Sequence, residues 1–168
     1  MTAHTNQEFQ KAHALVLALI DRFEKHADRY VQPSYQEAET RKDFIDPLLK
    51  AMGWDVDHER EHNPYEQEVK VESGLIVHDA RSQKRADYAF YLAPNFRDVR
   101  FYVEAKKPSV DLARSTDAHF QTLRYGYSAG TPLAVLTDFE QIRVLDCRRR
   151  PHPDSALDQT YKHWRYTD

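Results

Sequence analysis

Residues 101–109 read Phe-Tyr-Val-Glu-Ala-Lys-Lys-Pro-Ser. Phe101, Tyr102 and Val103 have the bulk of a strand that belongs in a core, yet Glu104, Lys106 and Lys107 follow with no loop between. Side chains alternate along a strand, so Glu104 and Lys106 share one face while Val103 and Ala105 take the other. Upstream, residues 86–92 (Ala-Asp-Tyr-Ala-Phe-Tyr-Leu) predict a second strand, closed by a Pro94-Asn95 turn. The connection over residues 93–99 lets the two strands pair antiparallel and brings Asp87 near Glu104. Two convergent carboxylates repel unless a proton or a cation lies between them. A hard cation with oxygen ligands, such as magnesium, suits that pair, and the Ala105 backbone carbonyl is a further candidate ligand. Lys106 is then placed to position, or help deprotonate, a water on the cation. Asp, Glu and Lys together suffice for metal-assisted attack on a phosphodiester. A half-exposed hairpin can carry the same residue types, so the neighbouring segments decide how much weight the reading bears.

Downstream, residues 116–128 predict a helix with Phe120, Leu123 and Tyr127 on one face, stopped by Gly130 and Pro132. Gln121 and Tyr125 lie four apart on a different face, which is expected to look toward the carboxylates. Residues 133–137 and 142–145 form a hairpin through Asp138-Phe139-Glu140-Gln141. After Cys147 the chain turns Arg-, Pro- and Asp-rich and loses periodicity, which predicts an irregular exit segment.

Upstream, Thr5-Asn6-Gln7-Glu8 has the capping-box pattern, and Phe9, Ala12, Val16, Leu19, Ile20 and Phe23 recur at helical spacing. They predict a first helix of about 20 residues, broken at Gln32-Pro33. Ser34-Tyr35-Gln36-Glu37 offers a second capping box, opening a helix that carries Arg41, Phe44 and Ile45. Pro47 sits poorly inside a helix, so Asp46 is expected to cap a new one that Gly53 ends. Trp54 to Val56 is expected to start a strand, and residues 68–72 alternate like an exposed one. His58 and His62 in the polar stretch between them are expected to lie in a solvated loop. The order of elements predicts an α/β protein, a central mixed sheet flanked by helices with an extra N-terminal helix.

With 168 residues, 40% of them hydrophobic and 30% charged, the chain reads as one soluble domain. A net charge of -3 argues against a bulk-basic nucleic-acid binder. Any DNA contact would draw on local clusters: Arg81/Lys84/Arg85, Lys106/Lys107 and Arg148/Arg149/Arg150. A single cysteine, Cys147, excludes an internal disulfide, and no Cys/His zinc spacing occurs. Neither a membrane span nor a signal peptide is found, so a cytoplasmic location is expected. No phosphate-binding Gly-rich loop, Asn-Pro-Pro-Tyr motif or methyl-donor loop is present. S-adenosylmethionine or ATP would therefore act only through other domains.

Asp87, then Glu104-Ala105-Lys106, then Gln121-Thr122-Leu123-Arg124-Tyr125 resembles the PD-(D/E)xK nucleases of restriction enzymes. The arrangement looks most like the R subunit of type I enzymes and the fused type IIG/IIL restriction–modification enzymes. In both, a Gln-x-x-x-Tyr motif follows the Glu-x-Lys strand. The stretch from Glu37 through Arg41 and Pro47 to Gly53-Trp54-Asp55-Val56 is similar to the opening of those domains, and Leu136-Thr137-Asp138-Phe139 to their late hairpin. The similarity covers residues 35–147, with Ala86 standing where the motif's name has Pro.

The resemblance implies a restriction-endonuclease-like core and magnesium-dependent hydrolysis of double-stranded DNA, with manganese as a substitute. Asp87, Glu104 and the Ala105 carbonyl would hold the metal, with Glu37 as an accessory acid. Asp87, Glu104 and Lys106 would be catalytic, and Gln121 and Tyr125 would support the site or touch DNA. Glu37 has a competing role as the capping-box residue after Ser34, and Arg41 one turn later could simply pair with it. The expected layout is an endonuclease domain over 1–150, with the N-terminal helix in 1–30 and the nuclease core over 34–147. Residues 151–168 would lead to methyltransferase and target-recognition domains on a longer polypeptide, and nuclease domains are expected to pair transiently on DNA. The alternatives are a free-standing nuclease of the same superfamily, or a non-cleaving DNA-binding or interaction module.

Overall fold

Six strands make one sheet in the order in which they occur along the chain. They are β1 (Val69–Gly74), β2 (Arg85–Phe90), β3 (Phe101–Ala105), β4 (Leu133–Thr137), β5 (Gln141–Asp146) and β6 (Thr160–Arg165). The computed structural model describes residues 3–74 and 85–168. Arg81 and Lys84, expected in a basic cluster, lie outside them. Neighbouring strands are antiparallel except β3 and β4, which run parallel with Glu104 beside Leu136 and Ala105 beside Thr137. A parallel pair needs a crossover, supplied here by helix α5 (Thr116–Ala129). Its N-terminus is capped by Ser115 and its C-terminus by Gly130 in the left-handed conformation.

Alternation along β2 and β3 builds two cores. Tyr88, Phe90, Val103 and Ala105 face a cluster with Phe23 of helix α1 (Ala3–Lys25) and with Phe44, Leu48 and Leu49. Ala89, Tyr91 and Tyr102 instead pack with Tyr125 of α5. A second cluster under α5 joins Leu123 to Leu136, Leu145 and Ala156. The sheet is thus sandwiched between helical layers, as the order of elements predicts.

Several expectations are corrected. Helix α1 already runs at Ala3, so Thr5 lies inside it rather than capping it; α2 (Ala27–Tyr30) follows. Residues 37–51 do not break at Asp46. Helix α3 (Glu37–Thr40) passes through a π-turn (Arg41–Ile45) into α4 (Asp46–Ala51), with Asp46 itself helical. The wider π-turn closes on the Asp46 N–H just ahead of Pro47, which lacks the N–H that an α-turn would use next. Trp54 to Val56 does not start a strand. Asp55 instead accepts hydrogen bonds from the backbone N–H groups of Glu59, Arg60 and Glu61 at 2.9–3.0 Å, folding the segment into a loop. His58 is half-buried, its ring 2.8 Å from the Val69 carbonyl, so it is no simple solvated residue. On α5, Tyr127 is exposed while Leu123 is buried, so the expected apolar face does not hold together. Residues after 148 are not irregular throughout, because β6 pairs with β5 and closes the sheet.

Candidate active site

Glu104 stands near the end of β3, only 2% exposed. Its Oε1 accepts hydrogen bonds from Lys106 Nζ at 2.6 Å and from Gln121 Nε2 at 2.7 Å. The Gln121 amide also donates to the Tyr125 hydroxyl at 3.1 Å. The two-residue spacing on the strand and the four-residue spacing on α5 thus meet at one carboxylate, as the periodicities predict. The other oxygen of Glu104, Oε2, is buried with no hydrogen-bond partner.

Asp87 comes from β2, whose ladder with β3 pairs Tyr88 with Val103. Continuing that register sets Asp87 beside Glu104. Asp87 Oδ2 accepts a hydrogen bond from the Ala105 backbone N–H at 2.8 Å, while the Lys106 N–H goes to the Thr137 carbonyl across β4 at 2.8 Å. Asp87 Oδ1 accepts one from Arg41 Nη1 at 2.9 Å.

Glu37 reaches the same place from α3, its Oε2 3.4 Å from Lys106 Nζ. The competing capping role falls to another residue. The helix begins two residues later than expected, with Gln36 as the cap, and Glu39 takes the Gln36 N–H at 2.8 Å. Lys107 lies outside the cluster and donates to the Pro33 carbonyl at 2.9 Å. Arg148 in the other basic cluster is paired with Asp146 at 2.7 Å.

Glu37 and Glu104 therefore share Lys106, while Asp87 holds Arg41. Burial pushes Glu104 up to about 7; Lys106 works against the shift and Asp87 adds to it. Glu37 is raised in the same way, chiefly by burial and against the pull of Lys106. Burial alone would lower Lys106, but Glu104, with Glu37 and Asp87, more than offsets it, so the amine is held above its ordinary value. Lys106 is therefore an ammonium at neutral pH. Among the described residues no three Asp, Glu, His or Cys side chains gather as a ready cation cage. A cation here would rest on two carboxylates and backbone oxygen, and the partnerless, buried Oε2 of Glu104 fits such a guest.

Sequence reasoning missed Arg41, which it left one turn from Glu37. Its partner lies 46 residues away, on a strand, and no spacing rule reports such a contact.

No family model matches the chain. Over 151 residues it is 34% identical to the type II restriction enzyme and methyltransferase RM.Eco57I of Escherichia coli, an alignment covering 89% of this chain and 15% of that protein. The chain is a homologue of that restriction enzyme. This restriction-enzyme homologue thus spans a small part of its relative's length. A solved fragment assigned to the HsdR subunit of a type I restriction enzyme from Vibrio vulnificus YJ016 aligns with a TM-score of 0.49. That alignment has 24% identity and covers 73% of this chain and 25% of the other. Among the described residues of the homologue, no helix is long and apolar enough to cross a membrane.

Proposed function

We propose that the chain is the magnesium-dependent endonuclease module of a restriction–modification enzyme, hydrolysing phosphodiester bonds of double-stranded DNA. The observation that carries this reading is the buried Glu104 carboxylate, held on one oxygen by Lys106 and Gln121 and left without a partner on the other. A purely structural ion pair would satisfy both oxygens or lie at the surface. Homology to a restriction enzyme supports the same reading.

Asp87, Glu104 and the Ala105 carbonyl would hold the magnesium, with Glu37 as the accessory acid, and manganese would substitute. When bound, the cation supplies neutralising charge and a more acidic water. Gln121 fixes the rotamer of Glu104, and Tyr125 braces Gln121. The Ala105 N–H orients Asp87. Lys106 orients the attacking water and stabilises charge that develops on the phosphate. Methyltransferase and target-recognition domains would lie on a longer polypeptide, as the relative's combined name suggests.

The test is nicking of supercoiled plasmid with magnesium. Glu104→Ala and Lys106→Ala are expected to lose at least about a hundred-fold in rate. Calorimetric titration with manganese, expected to fail in an Asp87→Ala/Glu104→Ala double variant, reads the metal site without needing DNA. Equal cleavage by wild type and both single variants overturns the catalytic assignment, and unchanged manganese binding by the double variant overturns the metal site.

A further inference from the structure

Both oxygens of Asp87 are already engaged. Oδ2 takes the Ala105 N–H, part of the strand itself, and Oδ1 takes Arg41. The Arg41–Asp87 pair is mostly buried, with side chains 18% and 14% exposed, so water and salt screen it weakly. Arg41 is also firmly delivered. It opens the π-turn, and two tyrosines tie that stretch of helix down: Tyr35 donates to Asp43 at 2.9 Å and Tyr88 to Asp46 at 2.6 Å. Insertions of this kind in helices often sit at functional positions.

We propose that Arg41 is an internal competitor for the cation: it claims Asp87 Oδ1, so a divalent ion binds Asp87 by displacing it, by sharing that oxygen, or through the second lone pair of Oδ2 against its charge. The inference rests on the proposed metal site and goes beyond it by assigning a residue that sets cation affinity. Arg41 holds Asp87 aimed at the site and compensates its buried charge. The same positive charge repels an incoming cation, so affinity is lower than the carboxylates alone would give. Displaced from Asp87, the guanidinium stays at the site, with a fork geometry suited to a phosphate. Ion entry and substrate charge recognition are thereby linked through one side chain.

The experiment is calorimetric titration of the chain with manganese, without DNA, for wild type, Arg41→Met and Arg41→Lys. Circular dichroism checks folding, and melting is followed with and without the ion. Arg41→Met is expected to bind manganese on the order of ten-fold more tightly. It should melt lower than wild type without the ion and gain more from adding it. Arg41→Lys, whose single-point charge holds a carboxylate less firmly, is expected to fall between. A merely structural ion pair would also lower the melting temperature on substitution but would leave manganese affinity unchanged or weaker, and that result overturns the proposal. If Arg41→Met does not fold, Arg41→Lys decides: tighter binding supports the competitor role, and equal or weaker binding overturns it. Absence of binding to all three proteins removes the metal site itself, and this inference with it, whereas binding that weakens only in the variants removes this inference alone.

Discussion

Glu104 is a carboxylate held where its charge costs the folded state. Its acidity is shifted from the ordinary 4.5 to about 7, so between those values the folded protein holds more protons than the unfolded one. Stability from this group is therefore greatest at the acid end of that window and falls as pH rises through it, by up to about 3 kcal/mol. Asp138, buried in the β4–β5 turn and also shifted to about 7 by burial, acts in the same window and in the same direction. Melting followed from pH 5 to pH 8 should show wild type losing stability, with Glu104→Gln flatter and more stable than wild type at pH 8 while failing to bind manganese. Asp138→Asn should flatten the profile without touching manganese affinity. An unchanged profile in both variants would mean that neither group carries a raised proton affinity. The two periodicities that meet at Glu104 were legible because each is local: i,i+2 on a strand and i,i+4 on a helix. Glu37 was legible only in part, since its capping role depended on a helix start misjudged by two residues.

At the scale of elements, α5 packs so closely on the end of β5 that a side chain has no room at Gly126. A Cβ there would lie 2.3 Å from Cys147 Sγ. Gly126→Ala should cost about 1–3 kcal/mol in denaturant melts. Combining it with Cys147→Ala, which removes the sulfur but leaves the Cys147 Cβ 2.7 Å from the added methyl, should recover part of that loss. A double variant whose loss is the simple sum of the two single losses would show that the clash is not with the sulfur. The periodicity of α5 gave its ends well, but not its buried face. Tyr125 and the polar His119 and Thr122 are buried where Tyr127 is not, because the helix covers the sheet and the site at once. Strand β6 was not legible at all. Most of its residues are exposed on both faces, so the two-residue alternation that betrays a strand never develops, and pairing with β5 is backbone work. The π-turn was equally hidden, since Pro47 signals a break whether the chain starts a new helix or widens the old one.

For the molecule as a whole, the expected boundary at residue 150 would cut away part of the fold. Ala156 is fully buried with Leu145 and Leu123, Gln159 Nε2 donates to the Asp146 carbonyl at 2.8 Å, and Tyr166 stacks edge-on to Phe23 at 5.7 Å. A chain ending at Arg150 would bare the edge of β5, a surface that invites pairing with other chains. Such a truncation is expected to melt at least about 10 °C lower than the 168-residue chain, or to aggregate, as followed by calorimetry and light scattering. Equal melting would mean that β6 is an ornament rather than a wall. The fold class was readable at this scale because helix and strand signals alternate in order. The layering of two cores on opposite sheet faces followed only once pairing fixed which side chains look which way.

The contact between the Ala105 amide and Asp87 has one more use, because it turns a backbone proton into a reporter. A proton held by a carboxylate feels that group's charge directly, whereas its neighbour at Lys106, held by the Thr137 carbonyl, does not. In a nitrogen–proton correlation spectrum, the Ala105 cross-peak should move steadily during a magnesium titration, through Asp87. The Lys106 peak should move with it only if the Ala105 carbonyl, part of the same peptide unit, also takes the ion. An Ala105 signal that stays fixed while others respond would place the ion away from Asp87. The peak would thus follow the ion's arrival at the carboxylate without a label, a substrate or a turnover.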